Sequence, residues 1–242
     1  MADEHNGLRS SRDAVAVMQP YFYPYAGYFR LLAAAEIFVI FDDVQFPRRG
    51  RVHRCEVPRP VGGSNSALEW LTLPLARQPR DTLIKDLAFA ADARGIFDRR
   101  LERHAWLAGA CGYWADRLRT HLYGPLGEPL AFLMAGIELV AEALDLRPRI
   151  VRSSSVGIDR SLRGAERVIA IVQALNGRRY INSPGGRVLY QAERFQRAGL
   201  DLRFLAPYDG PPGSILPALA SGDLASLRAE IRHQTRLVAA GA

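Results

Sequence analysis

Lysine is nearly absent from this chain. Of its 32 Lys and Arg residues only Lys85 is lysine. Arginine's planar fork pairs with carboxylates and phosphates in two-point geometry. The net charge of +7 therefore leaves two readings open. One is the compositional bias of an Ala- and Arg-rich proteome; the other is a basic surface for a phosphate, a nucleotide or tRNA. Cysteine is scarce as well. Cys55 and Cys111 are too few for a disulfide framework, and neither sits in a CxxC pair. No apolar run approaches the roughly 20 residues that cross a bilayer, and the longest candidate, residues 31–41, is interrupted by Glu36. No membrane partner is expected. Residues 1–13 lack the apolar centre of a secretory signal and read as a disordered leader, so the cytoplasm is the expected compartment. Also missing are a P-loop, HExxH, GxSxG and zinc-ligand spacing, so no metal ligands are assigned.

What is present points to an α/β fold. Two short, β-branched runs, Val15-Ala16-Val17-Met18 and residues 37–41, flank an aromatic, Pro- and Gly-containing turn and a helix over residues 29–35. Such runs suit strands buried on both faces of a parallel sheet. The same rhythm returns from Arg147, with strands at 149–151, 179–181 and 200–205 and helices at 164–175, 187–198 and 224–238. Between the two halves lie an alternating pair of segments and a helical stretch with helices expected at 93–110, 113–123 and 129–144. The expected architecture is Rossmann-like: a mostly parallel sheet in one α/β domain over 14–242. The insertion spans 45–146, a β-hairpin over 45–75 and a helical part over 80–146 that covers the sheet.

In open α/β sheets ligands bind beyond the carboxyl ends of the strands. Gln19, the tyrosine-rich turn and the pair Asp42-Asp43 should lie there. A second strand-to-helix turn, Asn182-Ser183-Pro184-Gly185-Gly186, opens on the same edge, with Ser183 as N-cap and Pro184 at the first helical position. Its glycine amides would face an anion at the positive helix end, or the turn is an ordinary cap. Three roles compete for the Asp pair: holding Mg²⁺ with a nucleotide, receiving an amine substrate's ammonium, or general base. A satisfied turn is the plain alternative. Ser153 to Ser155 can bind a phosphate or carboxylate, or cap a turn. His53 and Cys55, two apart on an expected strand, make a weak Cys–His nucleophile signal.

Two resemblances add to this. Met18-Gln19-Pro20-Tyr21-Phe22-Tyr23-Pro24-Tyr25-Ala26-Gly27-Tyr28-Phe29 and Phe41-Asp42-Asp43-Val44-Gln45-Phe46 closely resemble the opening of the WbqC-like family. Leu73-Pro74-Leu75, Tyr180 to Gly186 with Leu189-Tyr190, and Ser214-Ile215-Leu216 extend the likeness over most of the chain. It departs at Gly50-Arg51-Val52-His53-Arg54-Cys55, where relatives carry Gly-Trp-x-Asn-Arg-Asn, and at Pro217, where an Asp is usual. The resemblance implies a cytoplasmic enzyme of polysaccharide or specialised-metabolite biosynthesis with a proposed role in glycine transfer. More distantly, the opening is similar to the nucleotidyltransferase and class I synthetase superfamily, with Tyr25-Ala26-Gly27-Tyr28 where that superfamily has two histidines against ATP phosphates. Tyrosine donates a hydrogen bond but carries no charge, so shared fold does not carry shared chemistry.

The functional expectation is a transferase or ligase that joins an activated acyl group, glycyl first among candidates, to a small-molecule amine. The expected catalytic residues are Asp42, Asp43 and Gln19. Tyr21, Tyr25, Gly27, Tyr28, Tyr180, Asn182, Ser183, Gly185 and Gly186 would bind substrate. Arg48 and Arg54, with Arg49 and Arg51, would hold an anionic donor, either ATP with Mg²⁺ or the acceptor end of an aminoacyl-tRNA. The alternatives are a non-catalytic nucleotide- or nucleotide-sugar-binding protein and an ATP-dependent adenylating enzyme.

Overall fold

The computed structural model describes residues 13–59 and 68–240. The expected leader, apart from Asp13, and the hairpin loop at 61–67 lie outside the described residues. In chain order the first half runs β1 (Ala14–Met18), α1 (Ala26–Ala34), β2 (Ile37–Ile40), β3 (Arg54–Pro58), β4 (Leu68–Thr72), α2 (Ala93–Leu101), α3 (Ala105–Ala108), α4 (Tyr113–Tyr123) and α5 (Pro129–Ala143). The second half runs β5 (Arg149–Arg152), α6 (Gly164–Ala174), β6 (Arg179–Asn182), α7 (Ala192–Arg197), β7 (Asp201–Leu205), α8 (Leu216–Ser221), α9 (Leu224–Gln234) and β8 (Leu237–Ala239).

Six strands form the main sheet in the order β5-β2-β1-β6-β7-β8, and β3 and β4 pair as a separate antiparallel hairpin. All pairs of the main sheet are parallel except β7 with β8. The fold is therefore the α/β, mostly parallel arrangement with a hairpin that the sequence implies. Side chains alternate across a strand. Ala14 and Ala16 of β1 face a core shared with α1, the hairpin and the helical segment, while Val15 and Val17 face a second core built with α6 and α7. Burial on both faces is why the strands read as unbroken apolar runs.

From β1 the chain moves outward through β2 to β5, then returns to place β6 on the other side of β1. The strand order reverses between β1 and β6. That reversal splays the two following turns apart and leaves a crevice at the sheet's carboxyl edge.

Four expectations need correction. The helix over 93–110 is two, α2 and α3, because buried His104 turns extended between them and places Nε2 3.7 Å from Glu69 Oε1. The helix over 187–198 is a 3-10 turn at Pro184–Leu189 followed by α7. Tyr190 interrupts it, extended, with its ring edge-on to Tyr180 and Phe195. The last helix stops at Gln234, and Leu237–Ala239 pairs with β7 instead. α8 has no counterpart among the expected helices.

Candidate functional site

The Asp pair follows β2, and its surroundings decide what it can do. Asp42 is fully buried. Its Oδ1 accepts from the Ser154 amide at 2.9 Å and its Oδ2 from Ser154 Oγ at 2.6 Å and Arg152 Nε at 2.9 Å. The Ser153 hydroxyl lies 2.9 Å from Asp42 Oδ1 and 2.5 Å from Asp43 Oδ1, and with one proton it donates to one at a time. Burial alone raises the Asp42 carboxyl; the hydrogen bonds from Ser154, Arg152 and Ser153 outweigh it and leave the group below its ordinary value. Ser153 and Ser154 thus bind a carboxylate through both hydroxyls and the Ser154 amide, and that carboxylate is the chain's own. Asp43 Oδ2 meets Arg167 at 2.5 Å in a nearly buried ion pair. Asp42 is enclosed with both oxygens engaged, so it faces no substrate space, and Asp43 is held by Arg167 and the shared Ser153 hydroxyl at the rim of a separate cavity.

The two turns at the strand reversal do meet. Tyr25 and Gly27 from the first, and Ser183, Pro184 and Gly185 from the second, line one cavity of about 400 Å³ with Arg30, Pro207, Tyr208, Gly210 and Pro212. The Tyr25 and Tyr208 rings lie 5.7 Å apart at its wall. A Cβ on Gly27 would come within 2.8 Å of Tyr208 and closer to Tyr25, so only glycine lets these rings approach the start of α1. Arg30 is the one charged residue of α1 and is buried. It donates to the carbonyls of Ala206 at 2.9 Å and Gln234 at 2.5 Å, while its buried Nε has no hydrogen-bond partner. Burial lowers its pKa, and a guanidinium so placed remains charged. A buried, incompletely satisfied cation beside an aromatic wall suits a ligand with an anionic group.

Other expected residues distribute differently. Gln19 is half-buried after β1, and its side-chain amide has no hydrogen-bond partner among the described residues. Tyr21 is half-buried against Tyr28, ring centroids 5.4 Å apart. Tyr28 is buried and donates to the Gln19 carbonyl at 2.9 Å, which fixes the turn instead of meeting a substrate. Tyr180 is fully buried and stacks on Phe195 on the far face of β6, so it presents no surface to a ligand. Asn182 is buried and its Oδ1 accepts from the Ser183 amide at 2.7 Å. The Ser183 side chain makes no cap hydrogen bond. Gly186 leaves room for the Asn182 amide, whereas a Cβ on Gly185 would meet nothing within 4 Å.

The arginine patch lies apart. Arg48 donates to the Gln78 carbonyl at 2.6 Å and lines a different cavity with His53 and Arg100. Arg54 holds the carbonyls of Gly50 and Arg49 and covers the Trp70 ring at 4.2 Å, so it braces its own loop. Arg51 is paired with Glu56. The Cys–His signal fails: burial pushes the Cys55 thiol up to about 12, and burial followed by the charge of Arg54 takes His53 down to about 4. A thiol held protonated is no nucleophile.

The sequence reading missed Arg30 and Tyr208 in the crevice. A lone arginine in the apolar run Ala26–Ala34 was the available signal for the first; Tyr208 comes from a loop after β7 and had none.

The model of the WbqC-like protein family matches residues 19–212. A 76-residue segment is 33% identical to the uncharacterized protein Rv1507c of Mycobacterium tuberculosis, covering 29% of this chain. The chain spans about a third of that relative's length, 31%. No solved structure matches.

Proposed function

The chain belongs to the WbqC-like protein family, and from that premise we propose that it is a transferase or ligase joining an activated acyl group to an amine. A glycyl group is the first candidate for the acyl part. One observation carries the reading: both turns at the strand reversal line a single cavity whose wall holds the buried, partly unsatisfied Arg30. In this scheme Arg30 binds the anionic end of the activated donor. Tyr25 and Tyr208 flank it, and the uncommitted amide of Gln19 orients a polar substrate group. The contribution of such a site is orientation and electrostatic complementarity. Asp42 holds the end of β2 in place, and Asp43 pairs with Arg167 outside the crevice. The Asp pair does not fit as a Mg²⁺ site, and no step is routed through the metal.

A second reading has its own support. Both carboxylates are engaged by partners, so the crevice lacks an obvious general base. A non-catalytic nucleotide- or nucleotide-sugar-binding protein would need none. Supplying isotope-labelled glycine with ATP, or charged tRNA with and without nuclease, and following amide formation by mass spectrometry separates these. Product from ATP and free glycine supports a ligase, and product abolished by nuclease supports an aminoacyl-tRNA donor. Ligand binding with no product under either supply supports the binding protein. A Gln19→Ala variant that keeps ligand affinity and loses product supports catalysis over a binding role.

A further inference from the structure

A second cavity, about 520 Å³, lies at the same sheet edge beyond Asp43. Its charged lining is Lys85, Arg160, Arg163 and Arg167 against Asp43 and Asp81. Three observations on it converge. Arg167 is only 5% exposed, and after pairing with Asp43 its buried Nε still has no hydrogen-bond partner. Lys85, the chain's single lysine, is half-buried, and among the described residues neither its ammonium nor the Arg160 guanidinium has a side-chain partner. Arg163 and Arg167 are the N-cap and fourth residue of the eleven-residue α6, whose first turn has no side-chain cap. A helix N-terminus attracts negative charge, and guanidinium forks match phosphate oxygens. Arg163 serves differently, donating to the carbonyls of Arg160 and Leu162 and so shaping the loop before α6.

We propose that this cavity binds a phosphorylated small molecule, its phosphate held by Lys85, Arg160 and the free Nε edge of Arg167. The volume lies within the range of small-molecule sites, roughly 300–1,000 Å³. It exceeds what a bare phosphate fills, and Val44 and Leu83 supply apolar wall for the rest of the ligand. The site is independent of the crevice at Tyr25, and it stands or falls without reference to acyl transfer.

Titration calorimetry of the full chain with inorganic pyrophosphate and, separately, ADP tests it. Among the described residues Lys85 and Arg160 make no ion pair, so K85Q and R160Q remove charge without unseating the fold. One-to-one binding should weaken about tenfold in the double variant and stay unchanged in R147Q, which removes the same charge ahead of β5 at the opposite sheet edge. Tighter ADP than pyrophosphate, both sensitive to K85Q/R160Q, would show that the ligand's body occupies the cavity. No binding, equal weakening by R147Q, or ADP affinity lost in Tyr25→Ala but kept in K85Q/R160Q would overturn the proposal.

Discussion

Replacing Asp42 by asparagine should destabilise the protein through the end of β2. The carboxylate accepts three hydrogen bonds of 2.6–2.9 Å, from Arg152 and the Ser154 hydroxyl and amide, and shares the Ser153 proton with Asp43. An asparagine keeps one acceptor and turns a donor NH₂ toward groups that are themselves donors. Each bond to a charged group is worth roughly 1.5–3 kcal/mol. The Arg152 side chain is 44% exposed, so solvent discounts its share. The Ser154 hydroxyl can rotate to accept, and loss of the buried charge relieves its desolvation. What remains is about 3 kcal/mol, the low end for breaking a buried ionic cluster. For a chain of this size that lowers Tm on the order of 10 °C. The pH dependence has a definite sign. Asp42 sits below its unfolded value of about 3.9, so its stabilisation is complete above that pH and is lost as pH falls through the folded value. Urea unfolding of wild type and D42N should therefore show a full gap at pH 7 that narrows once the pH falls below the ordinary carboxylate value. An unchanged midpoint at pH 7 would refute the structural role and return Asp42 to the list of reacting groups.

Three further outcomes follow from the geometry. Tyr180→Phe should leave ligand affinity and turnover unchanged, since Tyr180 sits in the core; a tenfold loss of either, read by calorimetry or product assay, would place it back at the site. Gly27→Ala forces a methyl against the Tyr25 and Tyr208 rings, so ligand affinity should fall about tenfold while stability drops by about 1–3 kcal/mol, the ordinary cost of overpacking. Native protein should react with Ellman's reagent at one thiol per chain, Cys111, and at two after unfolding, because Cys55 is buried and held protonated. Two reactive thiols in the native state would contradict that assignment.

The parts legible in the sequence were those in which neighbouring residues settle the outcome. Val15-Ala16-Val17-Met18 and Ile37 to Ile40 are apolar on both faces, which a doubly covered parallel strand requires. The convergence of the turns at Tyr25 and Gly185 followed from topology, since both leave adjacent strands at the same edge. What failed depended on distant partners. Tyr180 looked like a site residue because it precedes Asn182, yet strand alternation puts its ring on the face packed by Phe195. Leu237 reads as helix until β7 offers an open edge. The Asp pair looked reactive because Arg152, Ser153 and Ser154, which neutralise Asp42, lie 110 or more residues away.

The crevice itself can be tested by plugging it. Gly185 lines it, has a backbone conformation open to any residue, and has no atom within 4 Å of a Cβ placed there. Phenylalanine at 185 should fill the space without disturbing the fold. In a strain lacking this chain, mass spectrometry of the accumulated intermediate reads function whatever the substrate is. G185F, present at wild-type level and with wild-type Tm, should leave the same intermediate as the deletion. Restoration of the product by G185F would contradict the crevice as the functional site.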